Sequence, residues 1–397
     1  MTHAATHHVA IVGAGPAGAW AAYTLAMRGV RVTLLDPSHP REKPCGGGVT
    51  GRAFALVAPA LAGRHLPACT VLTARFVDAD SSTSTSVRLD GAAARAESDP
   101  PPLLVASRAE FDGALLAAAL GAGVELRRSR VTDVVVERDG VRIETRDRTL
   151  RADSVIGADG ANSLVRRRVA SPFERRQLSI ATGYFAHGVT STEIAIEFVS
   201  DPPGYIWSFP RPDHLAIGIC AQADGGAGAD TLRQKAAAWI ATTGIARGAR
   251  LTPYSWPIPS LGADDLRDLA LAGPRWCLIG DAAGLVDPIT REGIFFALQS
   301  AQWAAETLAA DAGLAAYTDR VRRHIVPELA HAARLRSIFF APRFTRLMMH
   351  ALQQSGSVRA VMADLVAGRQ PYATLRWRLL KTLELGLAWR ALRLTLG

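Results

Sequence analysis

Three glycines, Gly13, Gly15 and Gly18, stand at a spacing that can cradle a pyrophosphate, and Asp36 follows them where a carboxylate can accept ribose hydroxyls. Gly13 permits a tight turn. Gly15 leaves no side chain between backbone and phosphate, and Gly18 lets a helix pack closely on a strand. Such a cradle works only in a fixed frame of strand, glycine turn, helix N-terminus, second strand and acid, with the free N–H groups of the helix turned to the phosphates. The sequence supplies that frame. His8 to Val12 is an apolar strand, Pro16 and Ala17 lead into a helical stretch from Ala19 to Arg28, and Val30 to Leu35 is a second strand ending on Asp36. A bound dinucleotide is the expectation, although one such unit does not separate NAD from FAD.

The bulk composition is that of a globular protein: 397 residues, 49% hydrophobic, 20% charged, enough chain for two or three lobes. The net charge of +9 invites a nucleic-acid reading. However, only Lys43, Lys235 and Lys381 are lysines, the arginines are scattered through an Ala-rich chain, and no nucleic-acid module is recognisable. No nucleic-acid partner is expected. Cys45, Cys69, Cys220 and Cys277 lack metal-type pair spacing, and His3, His7 and His8 read as a frayed polar N-terminus, so no metal is expected. With no signal-like segment and no spanning apolar run, a reduced cytoplasmic location follows.

Along the chain, Ser107-Arg108-Ala-Glu-Phe-Asp112 caps a helix to Leu120. Val124 to Arg128, Val131 to Arg138, Gly140 to Arg146, Thr149 to Ala152 and the run from Ser154 read as strands. From 175 to 260 the pattern is strand-like, with one helix at Asp230 to Thr242. A buried strand at Trp276 and a helix from Gly293 follow, and the rest is helical. The expected fold is α/β (α+β). A discontinuous dinucleotide-binding domain takes 1–75, 103–172 and 270–310, a mostly antiparallel β-rich substrate domain takes 76–102 and 173–269, and a helical region takes 311–397.

Two later glycine motifs, Gly157-Ala-Asp159-Gly160 and Gly280-Asp281-Ala-Ala-Gly284, each follow an apolar strand. With the opening unit and Arg108 they resemble FAD-dependent oxidoreductases of the para-hydroxybenzoate hydroxylase type. Pro202-Pro-Gly-Tyr205-Ile-Trp207-Ser-Phe209-Pro210 fits P-x-x-Y-x-W-x-F-P, and Cys45-Gly46-Gly47-Gly48 fits a C-x-G-G loop. Both resemble the geranylgeranyl reductase family, flavoenzymes that saturate isolated double bonds of prenyl chains. The resemblance implies FAD, reduced by NAD(P)H or a small redox protein. It places Asp281 on the ribitol and Asp159 near the pyrophosphate. The other expected cofactor contacts are Arg108, Val131, Gly160, Gly280, Gly284, Pro288, Gly293, Ile294 and the Cys45-Gly46-Gly47 run. Where the family reads Pro-x-x-Gly-Glu-Gly-Ile, this chain has Arg291 in place of the first glycine, an added cation near the flavin.

Strand alternation puts Tyr205, Trp207 and Phe209 on one face, either as the wall of an isoprenoid channel or as plain sheet core. Cys45 is either a proton donor or gate, or a packed loop residue. Cys69, Cys220 and Cys277 read as core. Lys43 raises the halogenase reading, but the W-x-W-x-I-P pattern of those enzymes is not met. The tail 369–397 interleaves Trp and Leu with Arg, and suits either an anionic membrane surface or packing on the protein's own body. The leading expectation is a reductase of prenyl-lipid double bonds. An aromatic hydroxylase using NAD(P)H and oxygen is the alternative, and a non-catalytic flavin- or lipid-binding protein the third.

Overall fold

The computed structural model describes residues 7–78, 83–90 and 101–382. Strand His8–Val12, buried at every position, is an inner member of a six-stranded sheet. Its order is Ala272–Gly273, Trp276–Leu278, Ser154–Gly157, His8–Val12, Arg31–Leu35, Glu125–Arg127. All neighbours are parallel except the outermost pair, Ala272–Gly273 with Trp276–Leu278. Continuous apolar runs such as Val9-Ala-Ile-Val are what a parallel sheet covered on both faces demands. Helix Pro16–Ala26 packs against both Arg108–Gly121 and Ile294–Ala309. The helix begins at Pro16 rather than at the expected Ala19, because proline's fixed φ and missing N–H suit the first turn. His8 is not frayed. Its ring is buried, with Nε2 2.9 Å from Thr33 Oγ1.

A second, seven-stranded sheet runs Arg250–Pro259, Leu178–His187, His214–Gln222, Pro203–Pro210, Ile194–Ser200, Thr73–Asp78, Thr83–Arg88. Only the contact between Thr73–Asp78 and Ile194–Ser200 is parallel. Strand Thr73–Asp78 lies whole in this sheet, so the expected boundary at 75/76 cuts through it and the division falls just before Thr73. Helix Ala229–Thr243 covers one face, burying Leu232, Ala236 and Trp239 with Ile206, Ile217 and Ile219. The opposite face carries Tyr205, Trp207 and Phe209. Between the two large sheets lies a small one of Gly48–Thr50, Leu103–Ala106 and Ala68–Val71. It leads into helix Gly51–Leu61, which has no counterpart among the sequence expectations. The buried Ala53, Val57 and Leu61 recur every four residues, the spacing of a helical stripe.

The C-terminal helices are not an appendage. Residues of Val326–Phe339, Pro342–Gln354 and Gly356–Val366 share one core with Phe76, Val87 and Ile194 of the seven-stranded sheet. A last described helix, Tyr372–Lys381, is anchored by buried Tyr372, and residues 383–397 of the expected amphipathic tail lie outside the described residues. Among the described residues, no helix is long and apolar enough to cross a membrane.

The glycine turn separates two effects of one methyl group. A Cβ on Gly18 would sit 1.8 Å from Gly13 O, whereas one on Gly15 would meet only His39 Nε2, at 3.7 Å. Gly18→Ala is therefore expected to cost about 3 kcal/mol or more in urea denaturation of the cofactor-free protein. Gly15→Ala should stay within roughly 1 kcal/mol of wild type, because its Cβ projects into open space. Equal losses in the two variants would contradict the packing described.

Candidate active site

One cavity of about 790 Å³ begins at the glycine turn and continues without a break to the aromatic face of the seven-stranded sheet. At its first end, helix Pro16–Ala26 carries no side-chain cap, so its leading N–H groups are free to meet an anion. Gly13, at φ 101°, lies so close to Ala158 O that a Cβ would be 2.4 Å away. Gly15, Pro16 and Ala17 line the cavity, while Gly18 is turned into the helix–strand contact.

Asp36 lines the cavity, and its carboxylate is already engaged within the protein. Its Oδ1 accepts from Ser38 N and His39 N, at 2.7 and 2.8 Å, and its Oδ2 from Ala14 N and His39 Nδ1, at 2.9 and 2.8 Å. Burial opposes ionisation, but the His39 ring and the backbone N–H groups outweigh it and hold the carboxyl well below the usual range. With Ser38 Oγ also 3.4 Å from Oδ1, a ribose hydroxyl would share this carboxylate with donors of the protein itself. His39 holds that carboxylate in place: its ring lines the cavity beside Gly15, with Nδ1 at Asp36 Oδ2 and a buried Nε2 that faces Asp112 Oδ2 at 3.8 Å. Nothing in the opening motif pointed to it, although the Asp36/His39 spacing of three was visible.

The remaining expected contacts divide in the same manner. Val131, Gly160, Asp281, Gly293 and Ile294 line the cavity, whereas Gly280, Gly284 and Pro288 stand behind it and shape the turn. Asp159 also lines it, but its carboxylate accepts from Ser163 Oγ, Leu164 N and Val165 N, capping helix Leu164–Val169. Burial pushes this carboxyl up. Asp281 faces Lys43 Nζ at 3.5 Å, which ties the loop after Asp36 to the Gly-Asp turn. Arg108 is buried and grips Asp112 through two bonds of 2.9 and 2.8 Å. Burial works against its charge, yet the Asp112 carboxylate and the Cys45 sulfur keep its pKa above the ordinary value.

Cys45, Gly46 and Gly47 line the cavity opposite the aromatic row. The glycines approach protein as closely as they were expected to approach flavin. A Cβ on Gly46 would be 3.1 Å from the Phe209 ring, one on Gly48 3.0 Å from it, and one on Gly47, at φ 83°, 2.3 Å from Ala106 O. Gly47 N donates to Cys45 Sγ at 3.3 Å, and Arg211 donates to Cys45 O at 2.6 Å. Arg211 has no solvent exposure and pairs with Glu42, which also accepts from Ser107 Oγ. Burial resists the Glu42 charge, but Arg211 and Ser107 draw its pKa below the ordinary value. Sequence reasoning missed Glu42 and Arg211. The one available signal was a charged residue directly after the aromatic motif.

Tyr205, Trp207 and Phe209 all line the cavity. Tyr205 donates to Thr290 O at 2.7 Å and stacks on Phe340, with ring centroids 6.1 Å apart. Phe339, Phe340, Met362 and Leu365, all from the C-terminal helices, close the chamber above them, which no motif announced. Of the other cysteines, Cys220 and Cys277 are buried and Cys69 is half-buried in its strand.

The residues fit FAD: a cradle at Gly15 that a Cβ would fill, Asp36 and His39 lining the cavity beside it, and an uncapped helix at Gly293 facing the same cavity. Comparisons with known proteins agree. The family model "FAD binding domain" matches residues 6–326. A geranylgeranyl diphosphate reductase of Rhodobacter capsulatus is 30% identical over 75% of this chain and 73% of its own. A menaquinone reductase of Mycolicibacterium smegmatis is 27% identical over 89% of each chain. The crystal structure of a geranylgeranyl bacteriochlorophyll reductase-like protein from Thermoplasma acidophilum shares the fold, with a TM-score of 0.75 at 20% identity, over 95% of this chain and 99% of that one. With its cofactor cradle, its aromatic strand motif and these relatives, the chain belongs to the FAD binding domain family and, within it, to the geranylgeranyl reductase-type FAD-dependent oxidoreductases.

Proposed function

We propose that this enzyme hydrogenates carbon–carbon double bonds of a prenyl, geranylgeranyl-type lipid or a similarly hydrophobic molecule. The observation that supports this most is the chamber joined to the cofactor cradle and walled by Phe76, Ile194, Phe198, Trp207, Phe340 and Leu365. An isoprenoid chain presents apolar surface only, and each methylene it buries there contributes about 0.8 kcal/mol. Bound and reduced FAD supplies the hydride. The electrons come from NAD(P)H or a small redox protein that docks transiently, since the sequence has no second nucleotide-binding motif.

The chain's own residues supply orientation, dryness and a proton. The aromatic row and the C-terminal roof exclude water from the alkene. Cys45 delivers the proton to the carbon that does not receive hydride, and its sulfur is reprotonated from solvent. Arg211 fixes this residue through its carbonyl, and the Arg108 guanidinium lies beside the sulfur, where it balances the charge left when the proton departs. Exposed Trp377, Leu379 and Leu380, next to Arg376 and Lys381, support contact with an anionic bilayer surface from which such a lipid is drawn.

Anaerobic single turnover tests the proposal. Protein reduced with dithionite and mixed with geranylgeranyl diphosphate or a prenylated quinone should regain its oxidised-flavin band as the lipid gains two hydrogens. A band that returns only with oxygen, together with hydroxylated product, would favour the hydroxylase reading. Tight lipid binding without reoxidation would mark a carrier. Cys45→Ser should slow saturation by roughly 10²-fold or more, as expected for loss of a general acid, while FAD affinity stays unchanged. For the cradle, His39→Leu should weaken FAD binding by about tenfold or more in a fluorescence titration of the apoprotein. Unaltered affinity would mean that the Asp36–His39 pair does not position the cofactor.

A further inference from the structure

Arg291 and Arg336 form a pair of guanidinium groups with no anion between them. Arg291 NH1 donates to Ser260 Oγ at 2.7 Å, and Arg336 NH1 donates to the same oxygen at 2.9 Å. The two charges therefore stand within two hydrogen-bond lengths of each other. Their remaining acceptors are neutral: Pro288 O and the Cys220 sulfur for Arg291, and Ser260 O and Gln222 Oε1 for Arg336. Among the described residues, no carboxylate reaches either at ion-pair distance. Asp224 and Asp265 act on Arg336 only from further away, and Asp265 is already paired with Arg176. Glu292, adjacent in sequence, is taken by Arg52 and Thr50.

This arrangement is unfavourable as it stands. Half-buried like charges in contact repel, and burial together with the charge of Arg291 draws the pKa of Arg336 below its ordinary value. Arg291 Nε is buried and lacks any acceptor. The backbone of Arg291 is at φ 60°, the left-handed region that a long side chain adopts only under constraint. This is also the position where the family pattern has glycine. Strain, an unmet donor and two uncompensated cations converge on one spot, and a dianion would relieve the charge.

Of the three residues Arg291 lines the cavity, Ser260 is fully buried, and Arg336 is half-buried one helical turn before Phe339 of the roof. We propose that Arg291 and Arg336, joined by Ser260, form a binding site for a phosphate-class dianion, seating the phosphorylated headgroup of the lipid whose chain fills the chamber. Two guanidinium groups match the charge and the fork geometry of a phosphate or diphosphate better than those of a quinone ring or an alcohol. The anion site stands on its own geometry, and only the chain attached to the anion rests on the alkene-reductase reading.

The test is equilibrium binding to the FAD-loaded protein, followed by intrinsic tryptophan fluorescence, with geranylgeranyl diphosphate, geranylgeraniol and inorganic pyrophosphate as probes. Geranylgeranyl diphosphate should bind at least tenfold more tightly than geranylgeraniol, and Arg336→Gln should remove about tenfold of that affinity while leaving geranylgeraniol unchanged. Arg336→Lys should recover part of the loss, which a misfolded variant would not. Pyrophosphate binding that is sensitive to Arg336→Gln, with neither prenyl compound bound, upholds the anion site while the prenyl reading fails. Geranylgeranyl diphosphate that binds equally to wild type and Arg336→Gln overturns the site and leaves the reductase reading standing.

Discussion

A fully buried guanidinium cannot stand uncompensated, and the way Arg211 is compensated determines how the two halves of this molecule meet. Arg211 follows the aromatic strand of the large antiparallel sheet. Its partners, Glu42 and the carbonyl of Cys45, belong to the loop that leaves the dinucleotide strand at Asp36. Glu42 in turn accepts from Ser107, at the start of helix Arg108–Gly121. One ion pair thereby fixes the substrate sheet, the loop bearing Cys45 and a helix of the cofactor domain relative to one another. Removing Glu42 would leave the buried Arg211 charge without its counter-ion, a loss of about 3–5 kcal/mol in such settings.

The glycine run Gly46-Gly47-Gly48 acts within that joint. Its role in this structure is to bring backbone against the Phe209 ring and Ala106 O, so that the loop and the aromatic strand press together without side chains between them. Phe209 is then held from behind, Tyr205 is held by Thr290 O, and both rings present a fixed wall to the cavity. Rigid placement of this kind suits chemistry in which a substrate must lie at a set distance from a ring system.

Much of this was legible in the sequence, and the rest was hidden for identifiable reasons. The strand–turn–helix–strand opening and the alternation of Tyr205, Trp207 and Phe209 are set by local periodicity and by glycine geometry, which a sequence displays. The FAD assignment rested on motif resemblance and is supported by the family match. Partner choice among polar groups was not displayed. Asp36 reads as an unengaged carboxylate until His39 and three backbone N–H groups are seen to surround it, and Asp159, which lines the same cavity, is also seen capping Leu164–Val169. Glu42 and Arg211 are far apart in the chain and belong to no periodic pattern. The roof residues Phe339, Phe340, Met362 and Leu365 look like any apolar helix face, and only tertiary packing turns them towards the chamber.

That roof has a consequence for how such enzymes diverge. The matching family model ends at residue 326, and the side chains closing the chamber begin at Phe339. The stretch that holds the cofactor and the stretch that sets the ceiling are therefore separate along the chain. Enlarging or trimming a single roof residue, Met362 for instance, alters the depth of the chamber while every group around the glycine turn stays in place. Substrate range can drift through the last helices while the redox machinery is inherited intact.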